Sequence, residues 1–317
     1  MCFKFLISHG AVVRNTTLSS AFAGGNREII NICTSYIGSL DPRLIDINQA
    51  IFTNVNDILI EYEKKHNFKF SIERCIDAFN VRLFIHEIAK GLNINKALYY
   101  SMFFGIYKLS KFLIDNGANV NYKHGIWRET PLMQCSVNDS YEIAKLLIEK
   151  GADVNARDVS KNTPLTYCGE TDALNVAKVL IDSGAHVNVS DAYAHSQPIF
   201  ACAEHDSPNV AKLLIENGAE IDVRDEPFVS PVGNASYMNN CRTLKILLDS
   251  GGSVNIRNKS KESALDLCVF NDAYGAAKLL IEHGASVDPS KIQDLIKNIW
   301  TYHASGIQKL FIENKII

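Results

Sequence analysis

Thr130-Pro-Leu-Met-Gln-Cys-Ser-Val-Asn-Asp139, Ile143-Ala-Lys-Leu-Leu-Ile148 and Gly151-Ala-Asp-Val-Asn155 follow one another within 26 residues and spell out one folding unit. Threonine before proline is a helix start: the hydroxyl caps free N–H groups, and proline sits at the first helical position, where its missing donor costs nothing. Cys135, five residues on, is small, as a helix needs where another backbone comes close. Asp139 tolerates the left-handed conformation that ends a helix and turns the chain. The stripe from Ile143 to Ile148 has helical spacing and predicts a second helix. Gly151 supplies the positive φ that closes it, and Val154-Asn155 leads into an extended polar segment before the next cap.

The unit repeats. Gly117-Ala-Asn-Val-Asn121, Gly184-Ala-His-Val-Asn188, Gly218-Ala-Glu-Ile-Asp222, Gly251-Gly-Ser-Val-Asn255 and Gly284-Ala-Ser-Val-Asp288 join Gly151 in a series with steps of 34, 33, 34, 33 and 33. In register with it run the caps Thr163-Pro, Gln197-Pro, Ser230-Pro and Ser263-Ala, the small residues Cys168, Cys202, Ala235 and Cys268, and the turn residues Asp172, Asp206, Asn239 and Asp272. A unit of this size cannot bury its own apolar face, so neighbours must supply the burial and the repeats must stack.

Helix, turn, helix and hairpin loop at this period, with Thr-Pro-Leu and Gly-Ala-Asp-Val-Asn strings, resemble the ankyrin-repeat family. The resemblance covers Lys108 to Asp288. It implies an all-α solenoid of stacked helix-turn-helix pairs with short β-hairpin fingers. Two family features are missing. The His after Thr-Pro-Leu is replaced by Met133, Thr166, Phe200, Gly233 and Asp266, and the inter-helix Gly by Asp or Asn. These departures bear on local hydrogen bonding and leave the fold assignment intact.

Before residue 108 the pattern persists in reduced form. Ala21, Ala50, Cys75 and Ser101 each precede by eight an apolar residue, Ile29, Ile58, Leu83 and Leu109, the offset that separates Cys135 from Ile143. Their steps of 29, 25 and 26 leave no room for a finger. This segment is similar to the degenerate ankyrin-like helical region of unknown function that precedes regular arrays in some protist proteins. Met1 to Gly10 reads as the second helix of a repeat lacking its first, which implies either a truncated gene model or an end that docks another chain. Beyond Asp288, Ile292-Gln-Asp-Leu-Ile and Ile307-Gln-Lys-Leu-Phe-Ile-Glu-Asn314 fit a closing helix pair in which Lys315 replaces the Gly. The expected organisation is therefore 1–107 degenerate repeats, 108–288 regular repeats and 289–317 a capping repeat, in one continuous solenoid.

Composition excludes several functions. At 47% apolar, 21% charged and net charge −3, the chain is of globular type, with no basic footprint for a nucleic acid or an anionic membrane. The uncharged apolar stretch from Ala97 to Tyr107 is about half a bilayer span. No phosphate-binding loop, nucleophile elbow or His-Glu-x-x-His string occurs, so the reading is no enzyme and no cofactor. The eight cysteines contain no Cys-x-x-Cys pair. Those at repeat spacing would lie about 8 to 10 Å apart on stacked helices, beyond disulfide reach, which favours buried reduced thiols over a metal or disulfide ladder. His9, His186 and His283 fall at the Gly turns, where polar capping accounts for them without metal ligation. The Asn of the Gly-Ala-x-Val-Asn strings is a hydroxylation site in some family members; the plainer reading is a loop residue bonding its own backbone.

In the resembling family, partners contact the hairpin tips and the exposed side of the first helices. Register assigns those positions to Ile126, Trp127 and Glu129, to Val159, Ser160 and Asn162, to Tyr193, Ala194 and Ser196, to Glu226, Pro227 and Val229 and to Lys259, Ser260 and Glu262 on the tips, and to Val137, Asn138, Glu170, Thr171, Glu204, His205, Tyr237, Met238, Phe270 and Asn271 on the helices. A tip should be polar, so Trp127 and Tyr193, with Tyr237, Met238 and Phe270 in the groove, have no packing duty legible in the sequence and mark a binding strip. The plain alternative is that some of them fold back on the next finger. The function expected is a cytoplasmic protein-interaction scaffold, with the nucleus left open, monomeric unless the N-terminus docks another chain. The alternative is the recognition arm of a larger multidomain enzyme or channel.

Overall fold

The computed structural model describes residues 56–66, 70–189, 196–223, 230–258 and 260–317. The expectations for Met1 to Gly10, Ala21, Ile29 and Ala50, and for the tip residues Tyr193, Ala194, Glu226, Pro227, Val229 and Lys259, lie outside the described residues. The chain separates into two compact units, with the division between Phe104 and Gly105.

In the first unit, helices α1 (Asn56–His66), α2 (Ile72–Asp77), α3 (Val81–Ala89) and α4 (Ile94–Ser101) lead into a 3-10 turn, Met102–Phe104. Ser71 caps α2 and Asn80 caps α3. The tight turn between them passes through Phe79 at φ 50°, and the Asn80 amide donates to Cys75 O at 2.7 Å. Ser140 N makes the same bond to Cys135 O at 3.0 Å, so the helix pair around Cys75 has the geometry of a regular repeat. Cys75, Leu83, Phe84, Leu98 and Met102 are its buried core, and the rings of Phe84 and Phe104 lie 5.0 Å apart.

The second unit opens on α5 (Tyr107–Asp115) and continues through six helix pairs. They are α6 (Pro131–Val137) and α7 (Tyr141–Glu149), α8 (Pro164–Thr171) and α9 (Leu174–Asp182), α10 (Pro198–His205) and α11 (Pro208–Glu216), α12 (Pro231–Tyr237) and α13 (Cys241–Asp249), α14 (Ala264–Phe270) and α15 (Tyr274–Glu282), and α16 (Ile292–Thr301) and α17 (Ser305–Glu313). First helices pack on first helices and second helices on second, forming two rows. Leu132, Cys135, Leu147, Leu165, Cys168, Leu180, Cys202, Leu214, Leu247 and Cys268 fill the space between them. The small position is fully buried in every repeat, and the close backbone approach falls beside it: a Cβ on Gly169 would stand 2.7 Å from Pro198 O.

The caps form as expected at Thr130, Thr163, Ser230 and Ser263, whose side chains accept the amides of Met133, Thr166, Gly233 and Asp266. Gln197 departs: it makes no cap bond, and its amide group instead clasps the backbone of Val189 at both ends. The fingers are thinner than hairpins of paired strands. Among the described residues they reduce to single bridges, His124 with Glu129 and Arg257 with Ser263. At the array's end Lys315 has φ 55° and stands where the other repeats place Gly.

Two relays join each repeat to its successor. Asp139, Asp172, Asp206, Asn239 and Asp272 all have the left-handed φ expected of the inter-helix turn. Each also sends a side-chain oxygen to an amide in the first turn of the next repeat's second helix. Asp139 accepts Val176 N at 3.0 Å, Asp172 Val210 N at 2.9 Å, Asp206 Thr243 N at 2.9 Å, Asn239 Ala276 N at 3.0 Å and Asp272 Ile307 N at 3.0 Å. The residues at the cap positions of those helices, Ala173, Ser207, Asn240, Ala273 and Ala304, make no side-chain cap bond, so the preceding repeat supplies it. The second relay corrects the expectation for the loop Asn. Asn121 does not bond its own backbone; it donates to Gly151 O at 2.9 Å and accepts Asp153 N at 2.8 Å. Asn155 and Asn188 repeat the pattern on the Gly184 and Gly218 strings.

Candidate partner-binding surface

The finger positions and the free ends of the first helices converge on one region. Ile126, Trp127 and Val159 are 81%, 58% and 52% exposed. They form a single ledge, because Val159 N donates to Trp127 O at 2.9 Å. Beside Val159 opens a cavity of about 590 Å³ lined by Ser160, Asn162, Glu170, Ser196, Ala201, Glu204 and His205. All of these but Ala201 are positions that register assigns to the finger tips or the exposed side of the first helices. Ser196 Oγ donates to Ser160 O at 2.8 Å and fixes the two fingers against each other.

The region is acidic. Glu170, at the end of α8, is half-buried. Burial pushes its carboxyl up; the neighbouring His205 opposes this, and the charges of Asp158, Glu204 and Glu129 add to the rise. His205 Nδ1 donates to Ala201 O at 3.1 Å. Tyr167, which the sequence reading did not single out, ties the acids together: its hydroxyl donates to Asp158 at 3.0 Å and lies 3.2 Å from Glu129. Burial pushes its phenol up, and the two carboxylates push it further. The available signal was a buried-row tyrosine whose hydroxyl needs partners, where other repeats carry Gln134, Ala201, Asn234 or Leu267.

The remaining strip residues sit apart from this cavity. Tyr237 and Met238 end α12, half-buried and exposed respectively. Phe270 has a packing partner after all: its ring meets Tyr302 of the closing repeat edge-on at 4.9 Å. The opposite row is a solvated face. Exposed Lys145, Lys178, Lys212, Lys245 and Lys278 recur along the second helices, each followed four residues later by Asp or Glu, as in the 3.2 Å pair Lys245–Asp249.

One group of side chains has metal-ligand chemistry among the described residues, Glu63, His86 and Glu87, with ligand atoms within 4.8 Å of one another. The Lys90 ammonium occupies it, bonded to Glu63 and, at 3.0 Å, to Glu87, while His86 Nε2 lies 2.8 Å from Glu63. Burial raises the Glu63 carboxyl, but these bonds outweigh it and hold it below its usual range. The cluster is an ion-pair network with its cation already in place.

The fold agrees with what known proteins show. The family model for ankyrin repeats (3 copies) matches residues 98–191, 159–225 and 199–291, more than half of the chain. The chain belongs to the ankyrin-repeat family, an all-α solenoid fold whose repeats serve as protein-interaction modules. A domain of unknown function, DUF3447, matches residues 10–87 ahead of them. The crystal structure of the human ASB11 ankyrin repeat domain is similar at a TM-score of 0.55 and 24% identity, over 62% of this chain and 86% of that one. None of the curated proteins gives a match. Among the described residues no helix is long and apolar enough to cross a membrane.

Proposed function

We propose that this chain is a non-catalytic scaffold or adaptor that takes up a partner protein on the face made by the finger tips and first helices, in a reducing compartment such as the cytosol. The observation that carries this reading is the exposed ledge of Trp127 and Val159, whose sequence neighbour Ser160 lines the cavity between α8 and α10. A solvated tip gains nothing for the fold from a tryptophan, whereas interfaces draw on large aromatic anchors beside a shaped cavity. The free thiols Cys135, Cys168, Cys202 and Cys268 suit a reducing compartment.

The test is capture by the full chain and by its Trp127→Ala and Tyr237→Ala variants. Partners retained by the wild type should be lost or much reduced on the Trp127 variant. Tyr237, one repeat beyond the cavity, tests how far the strip extends. Capture unchanged by both substitutions overturns the reading.

A further inference from the structure

Resting on that reading of the surface, we propose that the partner presents a basic segment, with an arginine side chain entering the cavity between Glu170 and Glu204 and a neighbouring apolar residue lying on Trp127 and Val159. The cavity has room for a long side chain, at about 590 Å³. Its lining includes several acceptors: the carboxylates of Glu170 and Glu204, the hydroxyls of Ser160 and Ser196 and the amide oxygen of Asn162. Among the described residues no lysine or arginine pairs with Glu170 or Glu204, and the base within reach is His205. On the second helices of the same unit, Glu149, Asp182, Glu216, Asp249 and Glu282 each follow a lysine by four residues. The carboxylates of Glu170 and Glu204 therefore line the cavity with no lysine or arginine bonded to them among the described residues, and a cation entering it relieves their mutual repulsion.

The choice of arginine follows from geometry. A guanidinium carries five donors in a plane and is weakly hydrated, so it can address two carboxylates and flanking hydroxyls together, where an ammonium is a point charge with a larger desolvation cost. The ledge fixes the second feature of the ligand. Val159 is adjacent in sequence to the cavity residue Ser160 and is hydrogen-bonded to Trp127, so an extended peptide with its arginine in the cavity places a neighbouring side chain over the indole. An acidic or phosphorylated segment is excluded by like charge.

The experiment selects random dodecapeptides displayed on phage against the full chain and then measures synthetic copies of the winners by fluorescence anisotropy. The expected result is peptides that pair an arginine with an adjacent apolar residue. Replacing that arginine by neutral, near-isosteric citrulline should weaken binding about tenfold or more, as should the E170Q/E204Q variant, with affinity falling as salt rises. The E149Q/E216Q variant, altered on the second-helix face, should bind as the wild type does. The citrulline arm leaves the protein untouched, so any loss of fold in a variant does not blunt the test. Enrichment of peptides without basic residues, indifference to both citrulline and E170Q/E204Q, or no enrichment at all overturns the inference. If the selected peptides ignore the carboxylates but are lost on Trp127→Ala, the interaction surface stands and only its cationic ligand falls. If they ignore both, the two readings fall together.

Discussion

Asp172 holds the start of a helix to which it does not belong. Its backbone turns at φ 55° between α8 and α9, while its Oδ1 accepts the amide of Val210 at 2.9 Å and its Oδ2 the side chain of Asn209 at 2.7 Å, both at the start of α11. One residue thus does two tasks that proteins usually divide, and substitutions can separate them. Asp172→Gly keeps the left-handed turn and loses the cap, at a cost of about 1 kcal/mol. Asp172→Ala loses the cap and adds a left-handed penalty of about 1 to 2 kcal/mol. Asp172→Asn keeps an acceptor oxygen and should lie nearest the wild type. Urea midpoints should fall in the order Asn, Gly, Ala; equal values for Gly and wild type would show the cap to be idle.

Gly169→Ala tests the close approach of α8 and α10. The new methyl would meet Pro198 O at 2.7 Å and Ala201 Cβ at 3.0 Å, and the first of these contacts is backbone that cannot swing aside. Forcing the helices apart should cost about 1 to 3 kcal/mol. A thermal midpoint equal to that of the wild type would mean the row is looser than its geometry indicates.

Leu147 and Leu214 are fully buried where second helices meet the core. Their alanine variants should each lose on the order of 2 to 5 kcal/mol in denaturant unfolding. A loss below 1 kcal/mol at both would contradict a packed interior.

Burial pushes the Cys168 thiol up to about 12 and those of Cys135, Cys202 and Cys268 up as well. At pH 8 these four should react with iodoacetamide only as fast as the unit opens, whereas the partly exposed Cys241 should be labelled before them. Peptide mapping of timed samples reads this directly. Prompt labelling of Cys168 in the native protein would be incompatible with the core described.

His283 closes α15: its Nδ1 meets Leu279 O at 2.8 Å and its Nε2 meets Asp249 at 3.1 Å. The carbonyl first, and then the carboxylate, raise its pKa above the ordinary value. A raised pKa means that the folded state binds the proton more tightly. The contribution to stability is therefore complete below about 6.5, the unfolded value, and is lost as pH rises through the folded one. An NMR titration should place the ring above 6.5. The gap in thermal midpoint between wild type and His283→Gln should shrink from pH 6 toward pH 8; a gap that widens has the wrong sign.

Much of this was legible before any coordinates. Thr163-Pro, Asp172 and Gly184 each announce a backbone event confined to one or two residues, and such events depend on local chemistry. The second task of Asp172 was hidden because its amide partner lies 38 residues away, a period plus five, an offset that acquires meaning only once the repeats are stacked. The same holds for Phe270, whose partner Tyr302 belongs to the closing pair, and for Tyr167, whose hydroxyl reaches back 38 residues to Glu129. Register assigned Ser160, Asn162, Glu170, Ser196, Glu204 and His205 to finger tips and first-helix ends, and these six line one cavity. It could not tell an aromatic with a neighbour to pack on, such as Phe270, from one without.

Both relays point the same way along the chain, since Asp172 serves Val210 and Asn155 serves the string that begins at Gly184. In these relays, a hairpin removed from the C-terminal side strands only exposed side-chain donors and acceptors that water can satisfy. One removed from the N-terminal side leaves its successor's helix amides bare. On the ribosome the serving side of each contact emerges first, so every new hairpin meets a finished template, and the array can lengthen in the direction in which it is translated.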